Sequence, residues 1–170
     1  VLGVLLGGSV MFVIGDKVVY PMHGAGVVEA IEERVFDSQP TKYLVLSMFL
    51  GNMKVHVPLE NVDKIGLRTV SDAKAVKQIE NVLKDRTATN MRTITWNRRF
   101  AIYVEKMKSG NVLDLAEVIR ILAVQDHEKK LSTGERRLLA SARQILASEL
   151  MITAHSDLAE AEAWIDKFLK

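Results

Sequence analysis

The arrangement of apolar and polar positions divides the chain into two parts. Up to about Val62, short runs rich in Val, Tyr and Ile alternate with Gly, Pro and Asn, a pattern typical of strands and turns. After Leu67, apolar residues recur every three or four positions, which indicates amphipathic helices. The pattern therefore predicts an α+β fold, in which a small β domain precedes an all-α helical bundle and the boundary falls near Gly66–Thr69.

The first part is predicted to form a small, strongly bent sheet or barrel. A flat sheet of this size would bury too little apolar surface and would leave long open edges. Gly15-Asp16, Pro21, Asp37-Ser38-Gln39-Pro40 and Gly51-Asn52 supply the expected turns. The predicted strands are Lys17–Tyr20, Gly26–Val35, Tyr43–Phe49 and Met53–Pro58.

The second part is predicted to form five helices with short links, which make a compact bundle. Ser132 and Glu135 have the spacing of a capping box, and Gly110 supplies a left-handed end to the helix that starts near Thr95. The polar run Arg86–Asn90 is expected to be a loop. The predicted N-caps of the other helices are Ser71, Asn111 and Ser156.

Residues 1–10 differ from the rest of the chain. They are apolar, but the run is too short to span a membrane and lacks the basic start and cleavage site of a secretory signal. We expect an upstream extension or a remnant foreign to the natural protein, and the alternative is an extra strand or helix. The expected domains are then 11–66 and 69–170. No other run approaches 18 apolar residues, so we expect a soluble, cytoplasmic protein with no membrane partner.

Charge separates the two parts further, although the whole chain carries a formal net charge of only +2. Residues 1–70 hold six Lys and Arg against seven Asp and Glu, a net of −1, whereas residues 91–150 hold eleven against seven, a net of +4. A basic region of this kind is the expected footprint of phosphate contact, but solvated helix faces of ordinary proteins carry as much charge. Charge alone therefore favours a solvated face over a nucleic-acid contact.

The run from Thr95 to Phe100 places an aromatic ring beside two arginines at the start of a helix. Arginine forks match phosphate geometry, and a ring at that end could wedge against a base step. Trp96, Phe100, Tyr103 and Met107 also have the spacing of a core stripe. We expect the last three to be core, and the sequence leaves Trp96 open.

Signals of an enzyme are poor. His23, His56, His127 and His155 lack metal-ligand spacing, and the absence of cysteine excludes disulfides and thiolate metal sites. Gly24 and Gly26 follow His23 without a helix after them, so a tight turn explains them better than a phosphate loop. We expect no catalytic residues, no metal and no cofactor.

Four segments, taken together and in order, carry a resemblance. The first is Phe12-Val13-Ile14-Gly15-Asp16-Lys17-Val18-Val19-Tyr20-Pro21-Met22-His23-Gly24-Ala25-Gly26, and the second is Met53-Lys54-Val55-His56-Val57-Pro58. The third is Trp96-Asn97-Arg98-Arg99-Phe100 followed by Lys106-Met107-Lys108-Ser109-Gly110. The fourth is Leu131-Ser132-Thr133-Gly134-Glu135-Arg136-Arg137-Leu138-Leu139. From Met11 to about Leu169, the chain resembles the CarD family, also called CdnL, of bacterial RNA polymerase-binding regulators. The first segment also resembles a domain of transcription-repair coupling factors.

The resemblance implies a Tudor-like barrel that docks on the lobe of the RNA polymerase β subunit, and a helical domain at the upstream edge of the transcription bubble. There a tryptophan, matched by Trp96, would act as a minor-groove wedge that stabilises the open promoter complex. DNA would be bound with little sequence specificity by a monomer. The expected polymerase-binding residues are Arg34, Lys54 and His56, and the expected DNA-binding residues are Trp96, Arg98, Arg99, Lys106, Lys130, Arg136 and Arg137.

His56 departs from relatives that carry arginine, and a histidine is only partly charged near neutral pH, so this contact is expected to differ here. Two other functions remain open from the sequence. One is a protein–protein adaptor of the transcription machinery without DNA contact, for which Trp96 would be buried. The other is a small hydrolase that uses His23 or His56, which would need a pocket with a positioned acid or base.

Overall fold

The structure, a computed structural model, describes residues 4–6 and 10–170, with side chains from Phe12 onwards. These residues have the predicted α+β fold, in which a five-stranded antiparallel sheet precedes five α-helices. Two short strands, β1 (Val4–Leu6) and β2 (Val10–Phe12), pair with each other before the sheet begins. The sheet itself consists of β3 (Lys17–Tyr20), β4 (Gly24–Phe36), β5 (Gln39–Met48), β6 (Lys54–Pro58) and β7 (Arg68–Thr69).

The sheet runs in the order β6-β5-β4-β3-β7 and bends at a bulge between Val28 and Ala30 of β4. Its core is separate from that of the helices and is built from alternate strand positions such as Val18, Leu44 and Leu46. The predicted strand Lys17–Tyr20 is confirmed. The sequence analysis missed β7, because two residues that pair only with β3 carry no strand pattern of their own.

The β4–β5 hairpin extends well beyond its neighbours. Residues Asp37 and Ser38 form its turn with φ of +52° and +64°, the left-handed conformation that a two-residue hairpin requires. The prediction that Gln39 and Pro40 belong to the turn was wrong, since both lie in β5. Pro40 is tolerated because β6 pairs with β5 only from Tyr43 onwards, which leaves this end of β5 an edge. Val35 and Phe36 are exposed near the tip.

The helices are α1 (Ala73–Lys84), α2 (Trp96–Lys108), α3 (Val112–Glu128), α4 (Thr133–Thr153) and α5 (Leu158–Leu169). They share one apolar core, in which α3 packs against α1, α2 and α4, and α4 packs against α5. Tyr103 and Met107 are buried in it as predicted, and Phe100 packs against it. The loop predicted over 86–90 separates α1 from a short 3-10 turn at Asn90–Thr93.

The capping predictions were confirmed in part. Asn111 caps α3, and Ser132 and Glu135 form a reciprocal capping box at the start of α4. The predictions for Ser71 and Ser156 were wrong, because the next residues, Asp72 and Asp157, cap α1 and α5. Gly110 follows α2 with φ of +78°, as predicted for a left-handed helix end.

The sheet and the bundle are in direct contact. The start of β4 lies against α4, and the carboxylate of Glu149 on α4 is bonded to β7 and to the link that precedes α1. Helix α4 therefore contacts the sheet through residues of its second half, while its first residues lie beside the start of α2.

Candidate functional site

Trp96 is the first residue of α2, and its indole lies against the start of α4. The indole Nε1 donates a hydrogen bond of 3.2 Å to the Oγ of Ser132, the N-cap of α4. The ring stacks on Phe100, with 5.4 Å between ring centroids and 20° between planes. Gly134 faces it so closely that a Cβ there would lie 3.3 Å from Cζ2 of the indole. The ring is thus held in place while 44% of the residue stays exposed.

A buried carboxylate organises the same corner. Glu135 accepts hydrogen bonds from the backbone and hydroxyl of Ser132, from Gln125 and from the guanidinium of Arg99, at 3.0 to 3.4 Å. Burial by itself would raise the pKa of this carboxyl, but these hydrogen bonds outweigh that effect and hold its pKa below the ordinary value of 4.5. Glu135 is therefore ionised at neutral pH and fixes the residue that carries the indole's hydrogen-bond partner.

Arg99 points into this network and not toward solvent. Its Nη1 donates to the carbonyl oxygen of Ile94 at 2.7 Å, its Nη2 lies 3.4 Å from Glu135, and only 17% of the side chain is exposed. A direct bond to a phosphate would require this buried pair to open. In the folded chain, Arg99 joins the start of α2 to the start of α4.

A cleft of about 710 Å³ opens beside the indole. It lies between the start of α2, the end of α3 and the start of α4, so that Trp96 and Arg99 share its wall with Lys129 and Lys130. Lys129 and Lys130 are exposed, and Arg92 at the rim is paired with Glu128. The structure therefore brings Trp96, Arg99 and Lys130 of the predicted set together around one partly basic opening.

The remaining predicted DNA-binding residues are placed differently. Arg98, Arg136 and Arg137 are exposed and have no ion-pair partner among the described residues. Lys106 is engaged within the bundle, with its Nζ 2.7 Å from Glu117 and 3.5 Å from Asp114. The hydrogen bond to Glu117 raises the pKa of this lysine above its ordinary value. A role of Lys106 in DNA binding would compete with these bonds.

The sequence analysis missed the part that Ser132 and Gly134 play beside Trp96. The capping motif predicted Ser132 correctly as the start of a helix, but nothing in it shows which side chain lies above that start. Arg92 and Lys129, which border the cleft, were also absent from the predicted set. Their signal was the local excess of basic residues, which does not reveal which of them share a surface.

Arg34, Lys54 and His56 lie on one face of the sheet. Strand register places Arg34 and Glu32 on the same side of β4, and His56 opposite Val45 on the neighbouring pair. The guanidinium Nη2 of Arg34 lies 3.0 Å from Glu32 and 3.0 Å from the Nε2 of His56. The same Nε2 lies 3.7 Å from Glu32, so that Arg34, Glu32 and His56 form one cluster.

Lys54, the first residue of β6, pairs with Glu29 at 3.1 Å. The basic side chains of this face are therefore each matched by a carboxylate, and the face has mixed charge. A partner that binds it needs both donors and acceptors at fixed positions, which favours a specific protein surface over a nucleic acid.

The histidines do not assemble a site in the described part of the chain. No group of three or more His, Asp or Glu side chains there is placed to hold a metal ion. His23 packs edge-on against Tyr20, with ring centroids 4.5 Å apart. Among the same residues, no helix is both long and apolar enough to cross a bilayer.

Comparison with known proteins assigns the two parts separately. Residues 12–71 match the model of the CarD-like/TRCF RID domain, and residues 78–166 match that of the CarD C-terminal domain. The chain is 38% identical over 142 residues to the "Putative transcription factor YdeB" of Bacillus subtilis (strain 168), an alignment that covers 84% of this chain and 92% of the relative. Together with the five-stranded sheet and the helical bundle, these matches show that the chain belongs to the CarD family of transcription factors.

Proposed function

We propose that the protein binds the β subunit of RNA polymerase through its sheet and stabilises the open promoter complex through Trp96. The observation that carries this proposal is the indole itself, which is held by Ser132, Phe100 and Gly134 yet remains 44% exposed beside a partly basic cleft. A large apolar ring on the surface costs free energy in water, and the stacking positions of a melted duplex offer it an apolar surface.

The mechanism is selective binding without chemistry. An open complex can re-anneal, and a protein that binds only the open form stabilises it in proportion to its differential affinity. The wedge reads groove width and deformability, so little sequence preference is expected.

Attachment to polymerase explains how a bundle of modest charge could act on DNA. Residues 91–150 carry a net charge of only +4, too little for tight independent binding. Docking through the face of Arg34, Lys54 and His56 gives the bundle a high effective concentration at one stretch of promoter. The match of residues 12–71 to the CarD-like/TRCF RID domain supports polymerase as the partner of the sheet.

The test is the lifetime of open complexes formed with Trp96→Ala, alongside polymerase binding by the same variant. We expect unchanged polymerase binding and a lifetime shortened by about tenfold, the loss of roughly one stacking contact. Trp96→Phe keeps an aromatic ring, so its open-complex lifetime should lie between those of the parent and of Trp96→Ala. An unchanged lifetime with Trp96→Ala would exclude the wedge and favour an adaptor that makes no DNA contact.

A further inference from the structure

The side chain of Glu149 is a charged group sealed between the sheet and the bundle. It belongs to α4 and is completely buried, yet every group that bonds its carboxylate comes from outside the bundle. Oε1 accepts from Nη1 of Arg68 at 2.6 Å and from the backbone and hydroxyl of Ser71 at 2.7 and 2.5 Å, and Oε2 accepts from Nη2 of Arg68 at 2.8 Å. One side chain thus ties α4 to β7 and to the link before α1.

Two neighbours on the same helix make further bonds of this kind. The Oγ of Ser148 accepts a hydrogen bond of 2.9 Å from the backbone N–H of Ala25 in β4. The Oγ1 of Thr153 donates to the carbonyl oxygen of Ser71 at 2.8 Å. Between Ser148 and Thr153, about one and a half turns of α4 are therefore bonded to two separate segments of the sheet domain.

The backbone of the sheet is shaped for this contact. Gly24 has a φ of +90°, and a Cβ there would come within 2.9 Å of both the Leu50 Cδ1 and the Ser148 Oγ. No other residue type could adopt this conformation at such a short distance without strain. The close approach of β4 to α4 is consequently built into both partners.

Most of the apolar packing lies within the two domains. The sheet and the bundle each have a separate apolar cluster, Met22 of the sheet domain packs against the bundle cluster, and Glu149 belongs to neither. A buried ion pair contributes less stability than apolar packing of the same volume, because desolvating both charges offsets most of their attraction. A bidentate arginine–carboxylate pair does, however, fix a direction, since both bonds are satisfied only in one orientation.

The two ends of α4 connect this contact to the indole. Ser132 and Gly134, at the beginning of the helix, hold Trp96, and Glu149 lies seventeen residues farther on, about 25 Å along the axis. An α-helix of this length that is packed on α3 and α5 transmits an orientation from one end to the other.

We propose that Glu149 is a positioning residue, which fixes the direction of α4 relative to the sheet and so sets where Trp96 stands with respect to bound polymerase. The second half of this inference rests on the proposed function, and the first half does not. On this view the sheet domain and the bundle move as one rigid body, with the polymerase contact on the sheet and Trp96 of α2 beside the start of α4.

The experiment compares interdomain distances and open-complex lifetimes in the full-length chain. Because the sequence contains no cysteine, Lys17→Cys on β3 and Ala140→Cys on α4, both exposed, give a unique pair of spin labels for pulsed dipolar spectroscopy. Glu149→Gln keeps the shape of the side chain and removes its charge. Asp166→Asn, which breaks the partly exposed Arg143–Asp166 ion pair between α4 and α5, is the control for loss of an ion pair within the bundle.

We expect Glu149→Gln to broaden the distance distribution markedly and to shorten the open-complex lifetime by about fivefold or more, while polymerase binding is retained. Asp166→Asn should leave both quantities unchanged. Should Glu149→Gln fail to fold, Arg68→Gln removes the same ion pair from the partly exposed side and should give the same result.

The outcomes separate this inference from the proposed function. A distribution as narrow as that of the parent in folded Glu149→Gln or Arg68→Gln would overturn the inference whatever the lifetimes are. A broad distribution with an unchanged lifetime, when Trp96→Ala does shorten it, would show that the fixed angle does not position the indole. If neither Trp96→Ala nor Glu149→Gln changes the open-complex lifetime while Glu149→Gln broadens the distance distribution, the proposed function fails and Glu149 still sets the angle between the domains.

Discussion

The indole Nε1 of Trp96 and the hydroxyl of Ser132 are 3.2 Å apart and belong to two different helices, one at the start of each. The same hydroxyl accepts the hydrogen bond that caps α4. A single oxygen therefore both begins one helix and orients the exposed ring of the other, so that the local structure of α4 determines the presentation of Trp96.

Replacing Ser132 tests whether the orientation of the indole matters, because the indole itself is kept. Ser132→Ala removes the cap and the indole's acceptor, so we expect a loss of about 1 kcal/mol in the free energy of unfolding and a shorter open-complex lifetime. Asp157→Ala removes the equivalent cap of α5, which touches no exposed aromatic ring, and should cost similar stability without changing the lifetime. Urea unfolding and promoter-complex decay measure the two quantities, and equal lifetimes for both variants would contradict the role of Ser132.

The two adjacent arginines should behave in opposite ways. Arg98 is exposed and unpaired in the described chain, so Arg98→Gln should weaken DNA binding and reduce its salt dependence by about one unit of slope, with little effect on stability. Arg99→Gln leaves the buried carboxylate of Glu135 without its cation and should cost about 1–3 kcal/mol of stability.

These predictions are tested by measuring the DNA affinity of the polymerase-bound protein over a range of salt concentrations and the urea unfolding of each variant. Equal stability loss for both arginines would show that Arg99 is not engaged with Glu135 in solution.

Glu135 should give the protein a specific dependence on acid. Its hydrogen bonds hold the pKa of the folded carboxyl below 4.5, so the group stabilises the native state above that pH, and this contribution is lost as the pH falls through the lower, folded pKa. Glu135→Gln should therefore be less stable than the parent at pH 7, and the difference should shrink below pH 4.5. Urea unfolding between pH 7 and pH 3 tests this, and parallel curves for the two proteins would refute it.

Reversing one charge on the sheet should abolish polymerase binding. Arg34→Glu removes the donor to His56 and places a second carboxylate beside Glu32, without disturbing any buried side chain. Lys42→Glu is the matched control, because register places Lys42 opposite Glu33 on the other face of the same hairpin. We expect loss of binding only for Arg34→Glu in pull-down with the β subunit, and equal binding by the two variants would mean that another face docks.

Local features of the fold could be predicted from the sequence because their determinants are close together in the chain. The capping box of Ser132 and Glu135, the cap at Asn111 and the strand Lys17–Tyr20 depend on neighbours within a few residues. Ser71 shows the limit of such reasoning. Ser71 and Asp72 are both good caps, but the backbone N–H and hydroxyl of Ser71 are bonded to the carboxylate of Glu149, 78 residues away. Asp72 therefore caps α1.

The candidate site was predictable to a similar extent. The sequence placed Trp96 at a helix start beside basic residues, and the structure leaves that residue exposed there. It could not show that Arg99 points inward to Glu135 or that Lys106 is held by Glu117, because a charge pattern does not reveal which charges pair. Charged residues near a site divide into those that build it and those that face outward, and only tertiary contacts separate them.

The long β4–β5 ribbon has a consequence for solubility. Beyond Val28 on β4 and before Tyr43 on β5, each strand has a single neighbour in the described chain, so the outer backbone groups are open to addition of another strand. Apolar Val35 and Phe36 at the tip would favour such addition, whereas the charges of Glu32, Glu33 and Arg34 oppose it. We therefore expect the acidic and basic side chains of this ribbon to oppose fibril-like self-association.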